Sequence, residues 1–446
     1  VVLIDQTNFT ESLANLCIGH EKKDIALPEL LEILDGVEIN ASRLWARHME
    51  LAKIGAIPGG GSCRLALSEE DSAARMVFSN WCKEAGLIVK TDHAANMFGI
   101  LSGADDSVPL IGSGSHLDTQ PYGGRFDGVS GVLAALEVIE TIKDVGIKTN
   151  APLAVINWTN EEGVRFSPGV LGSNWFVGNI SDENLNQTLA IDGARFGDEA
   201  KARGWQGGDI RKELNLGTFI ELHIEQGPML EAHKKQVGIV TAVQGLKWMN
   251  VEILGTNGHA GTVPLDMRQD ALLTAARIID AVNQIGCSSG SDARLSVCRL
   301  QTSTDGPSTI VNKASFLIDM RHPKESVLQE MFRQCSELCQ SISLANGCRS
   351  RVEQTANIAP TIFDKDLVKT LENAAINLHY RYERITSGAL HDACNIALKA
   401  STAMIFVPCH KGISHNVEEF ASAQDLAAGT NVLLHAMVSQ AGVIIN

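Results

Sequence analysis

None of the ten cysteines forms a Cys-x-x-Cys pair, basic residues are outnumbered, and no apolar run approaches twenty residues. The first absence excludes a structural zinc ribbon and a thioredoxin-type redox site. Ten thiols spread over 446 residues do not make a disulfide scaffold either. They read as reduced, mostly buried side chains of a cytoplasmic protein, and Cys335 and Cys339, one helical turn apart, are expected to pack. With 37 Lys and Arg against 52 Asp and Glu, the formal net charge is −15. A phosphate-tracking surface needs clustered cations, so nucleic acid is excluded as a partner. A bilayer span needs about 20 apolar residues, so no membrane is expected. The N-terminus Val1-Val-Leu-Ile-Asp-Gln6 turns acidic too early for a signal peptide. It lacks Met, which leaves open a targeting segment already removed.

What the chain does have is enough hydrophobic content, 44% over 446 residues, for two or three domains around a large core. Residues from about Glu38 to Gly86 read mainly as helix, broken at Ile57-Pro-Gly-Gly-Gly-Ser62. Strands follow at Ile88–Thr91 and Met97–Leu101. The run Val108–Ser113 has the continuous apolar character of a buried parallel strand. From Val129 to Val145, apolar residues at three- and four-residue spacing predict a helix, and Ala151–Asn157 predicts the next strand. This strand–helix–strand rhythm implies right-handed crossovers and an α/β fold with a mixed, mostly parallel sheet covered on both faces.

The rhythm changes near Gly238. Strands are expected at Val237–Val243, Trp248–Leu254, Leu295–Gln301 and Ala314–Met320, with helices at Gln269–Ile285 and Glu325–Leu344 and a closing strand. The α/β pattern then resumes with strand Ala403–Pro408 and helix Ser422–Val438. The expected organisation is a discontinuous domain, residues 1–237 and 356–446, interrupted by an inserted α+β module with a four-stranded sheet, residues 238–355.

Chemistry concentrates at the predicted strand ends. Gly114-Ser-His-Leu-Asp-Thr119 and Gly124-Arg-Phe-Asp-Gly128 supply His116, Asp118 and Asp127 where open α/β sheets bind ligands. A core histidine is a poor explanation for His116, given two acids beside it. Asp118 is placed to accept a hydrogen bond from the far nitrogen of His116, and Asp127 to bridge two cations. Glu161 and Glu162 end the Ala151–Asn157 strand. The bland alternative is a solvated acidic pair; buried, they would repel unless cations kept both ionised. His223 lies in the alternating strand Phe219–Glu225, a setting equally common for structural histidines. His410 and His415, five residues apart, compete for one role. His20, His48, His93, His233, His379 and His435 read as structural or solvated.

Ser115-His-Leu-Asp118, Gly124-Arg-Phe-Asp-Gly128, Asn160-Glu-Glu-Gly-Val-Arg-Phe166, His223-Ile-Glu-Gln-Gly-Pro228 and Ser414-His415 together resemble the M20 metallopeptidase-like amidohydrolases. The match is to the branch with N-carbamoyl-L-amino-acid hydrolases, β-ureidopropionase, allantoate amidohydrolase and ureidoglycolate amidohydrolase, and runs from about residue 40 onward. The resemblance implies two divalent metal ions, Zn²⁺ or Mn²⁺. One would be held by His116, Asp127 and His223, the other by Asp127, Glu162 and His415, with Glu161 as general base. It further implies that the inserted module is a dimerisation lid and the protein a homodimer. His259, in Gly258-His-Ala-Gly261, would reach substrate across that dimer. Arg321 would bind the substrate carboxylate, a bidentate match for guanidinium, with Gln226 and His391 as further pocket residues. Ser308 stands where the family usually has asparagine, Asn312 is offset, and Leu390 replaces a usual glycine.

The expected function is hydrolysis of a small ureido substrate with a carboxylate, an N-carbamoyl α- or β-amino acid, giving ammonia, carbon dioxide and the amino acid. Allantoate or ureidoglycolate is the runner-up. A catalytically inactive dimeric binding protein on this fold is the remote alternative, disfavoured because every ligand and the base are present.

Overall fold

A computed structural model describes residues 27–304 and 306–444; His20 and the Val1–Gln6 terminus lie outside them. Strands β1 (Ile88–Thr91), β2 (Met97–Leu101), β3 (Leu110–His116), β4 (Leu153–Trp158), β5 (Leu216–Ile224) and β6 (Val237–Val243) build most of one large sheet. The chain then leaves it for β7 (Gly245–Leu254), β8 (Gly258–His259), β9 (Arg294–Thr302), β10 (Thr309–Ile310), β11 (Lys313–His322) and β12 (Arg349–Ile358). It returns through β13 (Thr361–Ile362), β14 (Tyr382–Ser387) and β15 (Ser401–Val407).

The large sheet runs β1-β2-β4-β3-β5-β15-β6-β13, with β14 also pairing β6. Its centre, β4-β3-β5-β15, is parallel, and antiparallel pairs complete it towards both edges. Every residue of β3 and β4 is buried, as expected of strands covered on both faces. The helix Val129–Asp144, expected to show one apolar stripe, is instead buried nearly all round. It packs on β3, β4 and β5 and is itself covered by helices Ala41–Leu51 and Ala423–Ala441. Parallel strands end on the same side, so the segments after β3, β4, β5 and β15 converge on one edge.

The second sheet, β12-β7-β11-β9, is antiparallel throughout. One face carries Met249, Val251, Ile253, Ala314, Phe316, Ile318 and Met320, packed with residues of helices Ala271–Ser288 and Glu325–Ala345 in a separate core. Cys335 and Cys339 are fully buried in that core. The sequence expectation misplaces one strand. Val237–Val243 does not open this module; β6 pairs antiparallel with β15 and parallel with β14 in the large sheet. Its almost unbroken burial marks a two-faced strand, whereas β7 alternates buried and less buried positions as a one-faced strand does. Among the described residues, no helix is long and apolar enough to cross a membrane.

One buried ion pair ties the helix Glu69–Glu84 to the working edge. Asp71 and Arg75 are both inaccessible, with Arg75 Nε 2.7 Å from Asp71 Oδ2. The guanidinium also donates to the Ala95 carbonyl at 2.7 Å and to Thr159 Oγ1 at 3.1 Å, just beyond β4. Removing the cation strands a buried carboxylate, which typically costs about 3–5 kcal/mol. Arg75→Leu is therefore expected to lower the unfolding free energy by an amount of that order in urea titration; a loss under about 1 kcal/mol would contradict this role.

Candidate metal centre

His116 is the last residue of β3, and Asp127 sits in the loop that starts the helix Val129–Asp144. Gly128, which follows Asp127, has φ +67°, and a Cβ there would lie 2.3 Å from His116 Cε1. Only glycine lets this loop close on the imidazole. His116 Nδ1 is 2.8 Å from the Asp118 carbonyl oxygen, and His223 Nδ1 is 2.9 Å from the Ile224 carbonyl. A carbonyl only accepts, so each Nδ1 carries a proton and each Nε2 is the nitrogen left to face Asp127. His223 Nε2 lies 3.0 Å from Asp127 Oδ1, and His116 Nε2 lies 3.8 Å from it. On the other side of the same carboxylate, His415 Nε2 is 3.2 Å from Asp127 Oδ2 and 3.5 Å from Glu162 Oε2.

The two-histidine ambiguity resolves here. His410 turns to the surface, its Nδ1 2.8 Å from Glu231 Oε1, while His415, at φ +55°, faces Asp127. The expected Asp118–His116 contact does not form as such, because the carboxylate oxygen is 4.0 Å from Nδ1. The backbone carbonyl of Asp118 takes that bond. Its carboxylate instead accepts the N–H groups of Glu161 and Glu162, both at 3.3 Å, fixing the turn that carries them. Asn160, at φ +58°, closes the same turn by donating to the Phe166 carbonyl at 2.7 Å.

These groups can hold cations. Ligand atoms of His116, Asp127 and His223 lie within 4.8 Å of one another, as do those of Asp127, Glu162 and His415. A further grouping, Glu221, His223 and His391, shares His223. Asp127 offers one oxygen to each of the first two sets. Burial, with Asp392, Glu162, Asp127 and Asp118 nearby, pushes the Glu161 carboxyl well above its usual range. Burial and the Asp127 charge push Glu162 up to about 8. Such crowding of acids is relieved by divalent cations. The donors are nitrogen and oxygen only, a set that suits zinc and, through its carboxylates, manganese.

A cavity of about 450 Å³ opens on this cluster between the two sheets. Glu161, Glu162, Asp127, His223, Gln226, His391 and His415 line it from the large sheet, and Arg321 and Ile358 from the small one. Gln226, at φ +55°, donates to Asp127 Oδ2 at 2.9 Å. His391 Nε2 lies 3.0 Å from Ser387 Oγ. Arg321 is already held. Nε and Nη2 donate to the two Asp319 oxygens at 3.0 Å each, and Nη1 donates to the Gly388 carbonyl at 3.0 Å.

Three expected pocket residues stand apart from the cavity of this chain. His259 is exposed on the β8–β10 ribbon, paired with Thr309. The Ser308 carbonyl accepts the Ala260 N–H, and Asn312 Oδ1 accepts from Ser303 Oγ at 2.7 Å. Gln120, which the sequence reading passes over, donates to Glu162 from its backbone at 3.2 Å and from Nε2 at 2.6 Å. Its position directly after Asp118-Thr119 is the only signal it gives.

The pattern of peptidase family M20/M25/M40 matches residues 112–439. The chain belongs to that family. This M20 chain is 40% identical over 406 residues to an N-carbamoyl-L-amino-acid amidohydrolase of Rhizobium meliloti, covering 91% of this chain and 98% of that protein. It is 32% identical to a ureidoglycolate hydrolase of Arabidopsis thaliana, covering 90% and 87%. A crystal structure of a hydantoinase/carbamoylase family amidase from Burkholderia multivorans is similar with TM-score 0.88 and 41% identity, over 91% of this chain and 99% of that one.

Gly128→Ala tests the local geometry. A methyl 2.3 Å from the His116 ring must displace it, and ligand misplacement commonly costs about 10- to 100-fold in metal affinity. Metal retained after dialysis, read by atomic emission, is expected to fall; wild-type retention would show that the loop accommodates the methyl.

Proposed function

We propose that this M20 protein is a binuclear metal-dependent amidohydrolase that cleaves the ureido C–N bond of an N-carbamoyl amino acid. The products are ammonia, carbon dioxide and the free amino acid. The observation that carries this reading is the sharing of Asp127 between two three-residue donor sets, beside a largely buried Glu161 whose carboxylate lies 3.5 Å from His116 Nε2 and, among the described residues, pairs with no Lys or Arg. His116, Asp127 and His223 would hold one ion, and Asp127, Glu162 and His415 the other.

Bound there, two divalent cations supply carbonyl polarisation and a water acidic enough to ionise near neutral pH. The protein's own part is proton handling and placement. Glu161, on the cavity wall, accepts a proton from the attacking water at a carboxylate oxygen and returns it to the departing nitrogen. Gln226 and His391 border the same space and are assigned to the ureido group. Arg321, across the cavity, keeps outward N–H groups beyond those engaged by Asp319 and Gly388, and is assigned to the substrate carboxylate. Asp118 acts by fixing the peptide groups of Glu161 and Glu162.

The protein is read as a cytoplasmic homodimer. His259 lies outside the cavity of its own chain, so a second copy would present it to the substrate as a donor for the developing oxyanion. Ser308 and Asn312 are assigned to the same outer shell. A second reading, hydrolysis of ureidoglycolate or allantoate, is favoured by the plant relative and uses the same centre.

The deciding experiment is ammonia release by the metal-loaded protein from N-carbamoyl-L-amino acids, N-carbamoyl-β-alanine, allantoate and ureidoglycolate in parallel. Preference for the first is expected; preference for the last two would replace the leading reading by the second. Glu161→Gln should retain metal and fold while turnover falls by about 10²- to 10⁴-fold. Near-normal turnover would remove Glu161 as the base. Arg321→Ala should raise KM for carboxylate substrates by about 10- to 100-fold, the worth of a charged hydrogen bond. An equal loss on an uncharged ureide would show that the arginine does not read the carboxylate.

A further inference from the structure

Glu419 is buried, with 4% of its surface exposed, and lies 292 residues from Asp127 in sequence. One carboxylate oxygen, Oε1, accepts the N–H groups of both Phe126 and Asp127 at 3.0 Å. The other, Oε2, is 3.0 Å from Ser414 Oγ. Three donors converging on two oxygens is the pattern of an ionised carboxylate. Space is reserved for it, since a Cβ on Gly124 would lie 2.1 Å from Glu419 Oε1. Glu419 is absent from the cavity walls, so it does not face substrate.

Ser414 is the link to the proposed metal ligands. Its Oγ lies 3.1 Å from Asp127 Oδ2 as well as 3.0 Å from Glu419, and it accepts from Gln226 Nε2 at 3.2 Å. A hydroxyl has one proton. If that proton goes to Glu419, Asp127 Oδ2, which already accepts from Gln226 Nε2 at 2.9 Å, keeps one lone pair available to a cation. If it turns to Asp127, it competes with the cation for the same lone pair.

We propose that Glu419 is a positioning residue for the metal centre, which clamps the Phe126–Asp127 backbone and draws the Ser414 proton away from the bridging carboxylate. This rests on the two-metal reading above. In Glu419→Gln, the amide nitrogen can donate to Ser414 Oγ, which turns the hydroxyl proton onto Asp127. The second position, Asp127–Glu162–His415, should then weaken selectively.

The test is chelator competition on the zinc-loaded full chain, with a thermal melt of the zinc-free form. Wild type should hold two zinc ions. E419Q should keep one and bind the second at least about tenfold more weakly, the usual scale for losing an outer-shell partner, while the zinc-free melt barely moves. Adding Ser414→Ala to E419Q removes the misdirected proton and should restore the second ion. Two ions bound to E419Q with wild-type affinity would overturn the proposal, as would failure of the double variant to recover. A purely structural role would lower the zinc-free melt and weaken both ions alike. If E419Q cannot be purified folded, Ser414→Ala alone still discriminates. Loss of the second zinc there would mean that Asp127 needs the serine proton, which contradicts the proposal. Wild type binding no zinc or manganese would instead defeat the metal-centre reading itself.

Discussion

Like-charge crowding at the end of the parallel strands is the constraint on which the rest of the arrangement depends. Asp118, Asp127, Glu161, Glu162 and Glu419 are gathered at one edge with little access to water, and the cationic side chain across the cavity, Arg321, already pairs with Asp319. Carboxylates so placed must take up protons or be met by external positive charge. The local structure prepares for the second outcome. Both Nδ1 atoms of His116 and His223 are tied to backbone carbonyls, which turns both Nε2 atoms inward, towards Asp127. Backbone amides clasp Asp118 and Glu419, so these two acids stabilise loops rather than compete as ligands.

The parallel strands explain how much of this was legible in the sequence. When a chain alternates strand and helix with fixed handedness, the residues just past each strand must meet at one edge. His116, Glu161, Glu162, His223 and His415 could therefore be gathered without coordinates. Choosing His415 over His410 needed either the family resemblance or the structure, since spacing alone does not say which histidine turns inward. Asp118 was misread because side-chain and main-chain acceptors of one residue are indistinguishable in sequence. Glu419 was missed because Glu418-Glu419 looks like a solvated acidic pair, and its partners come from a loop 292 residues earlier. Val237–Val243 does carry a signal, an apolar run whose only polar residue is Thr241, but it stands where the rhythm of the chain changes.

The small module contributes chemistry of a different kind. Arg321 and Asp319 lie on the same face of β11, and Trp248, opposite Asp319 on β7, donates from Nε1 to Asp319 Oδ2 at 3.1 Å. These bonds leave the guanidinium with few ways to turn. The remaining tether, from Nη1 to the Gly388 carbonyl, comes from the loop after β14 in the large sheet. The arginine is thus located by both halves of the molecule at once, and its distance from Glu161 depends on how the halves meet. That junction is close-packed where the chain crosses it, since a Cβ on Gly245 would lie 2.6 Å from Pro360 Cδ.

On the proposed reading, this division would separate the bond to be broken from the rest of the substrate. Most of the strand-end cluster is held in place: His116, Asp127 and His223 are buried and Glu162 is bonded twice by Gln120, so its geometry has little freedom to vary. Elsewhere the cavity is lined by Leu390, in the loop after β14, and Ile358, at the end of β12, 41% and 39% exposed, apolar side chains that can be exchanged at little cost to the fold. On the proposed reading, Arg321 would fix one end of a carboxylate substrate and the strand-end cluster the ureido carbon, and the span between them would set the length that fits. Leu390, two residues beyond the carbonyl that tethers Arg321, stands where the intervening substituent would pass. Discrimination among ureido acids that share both ends would then fall to the apolar side chains along that span, while the cluster proposed to carry the hydrolysis would stay the same.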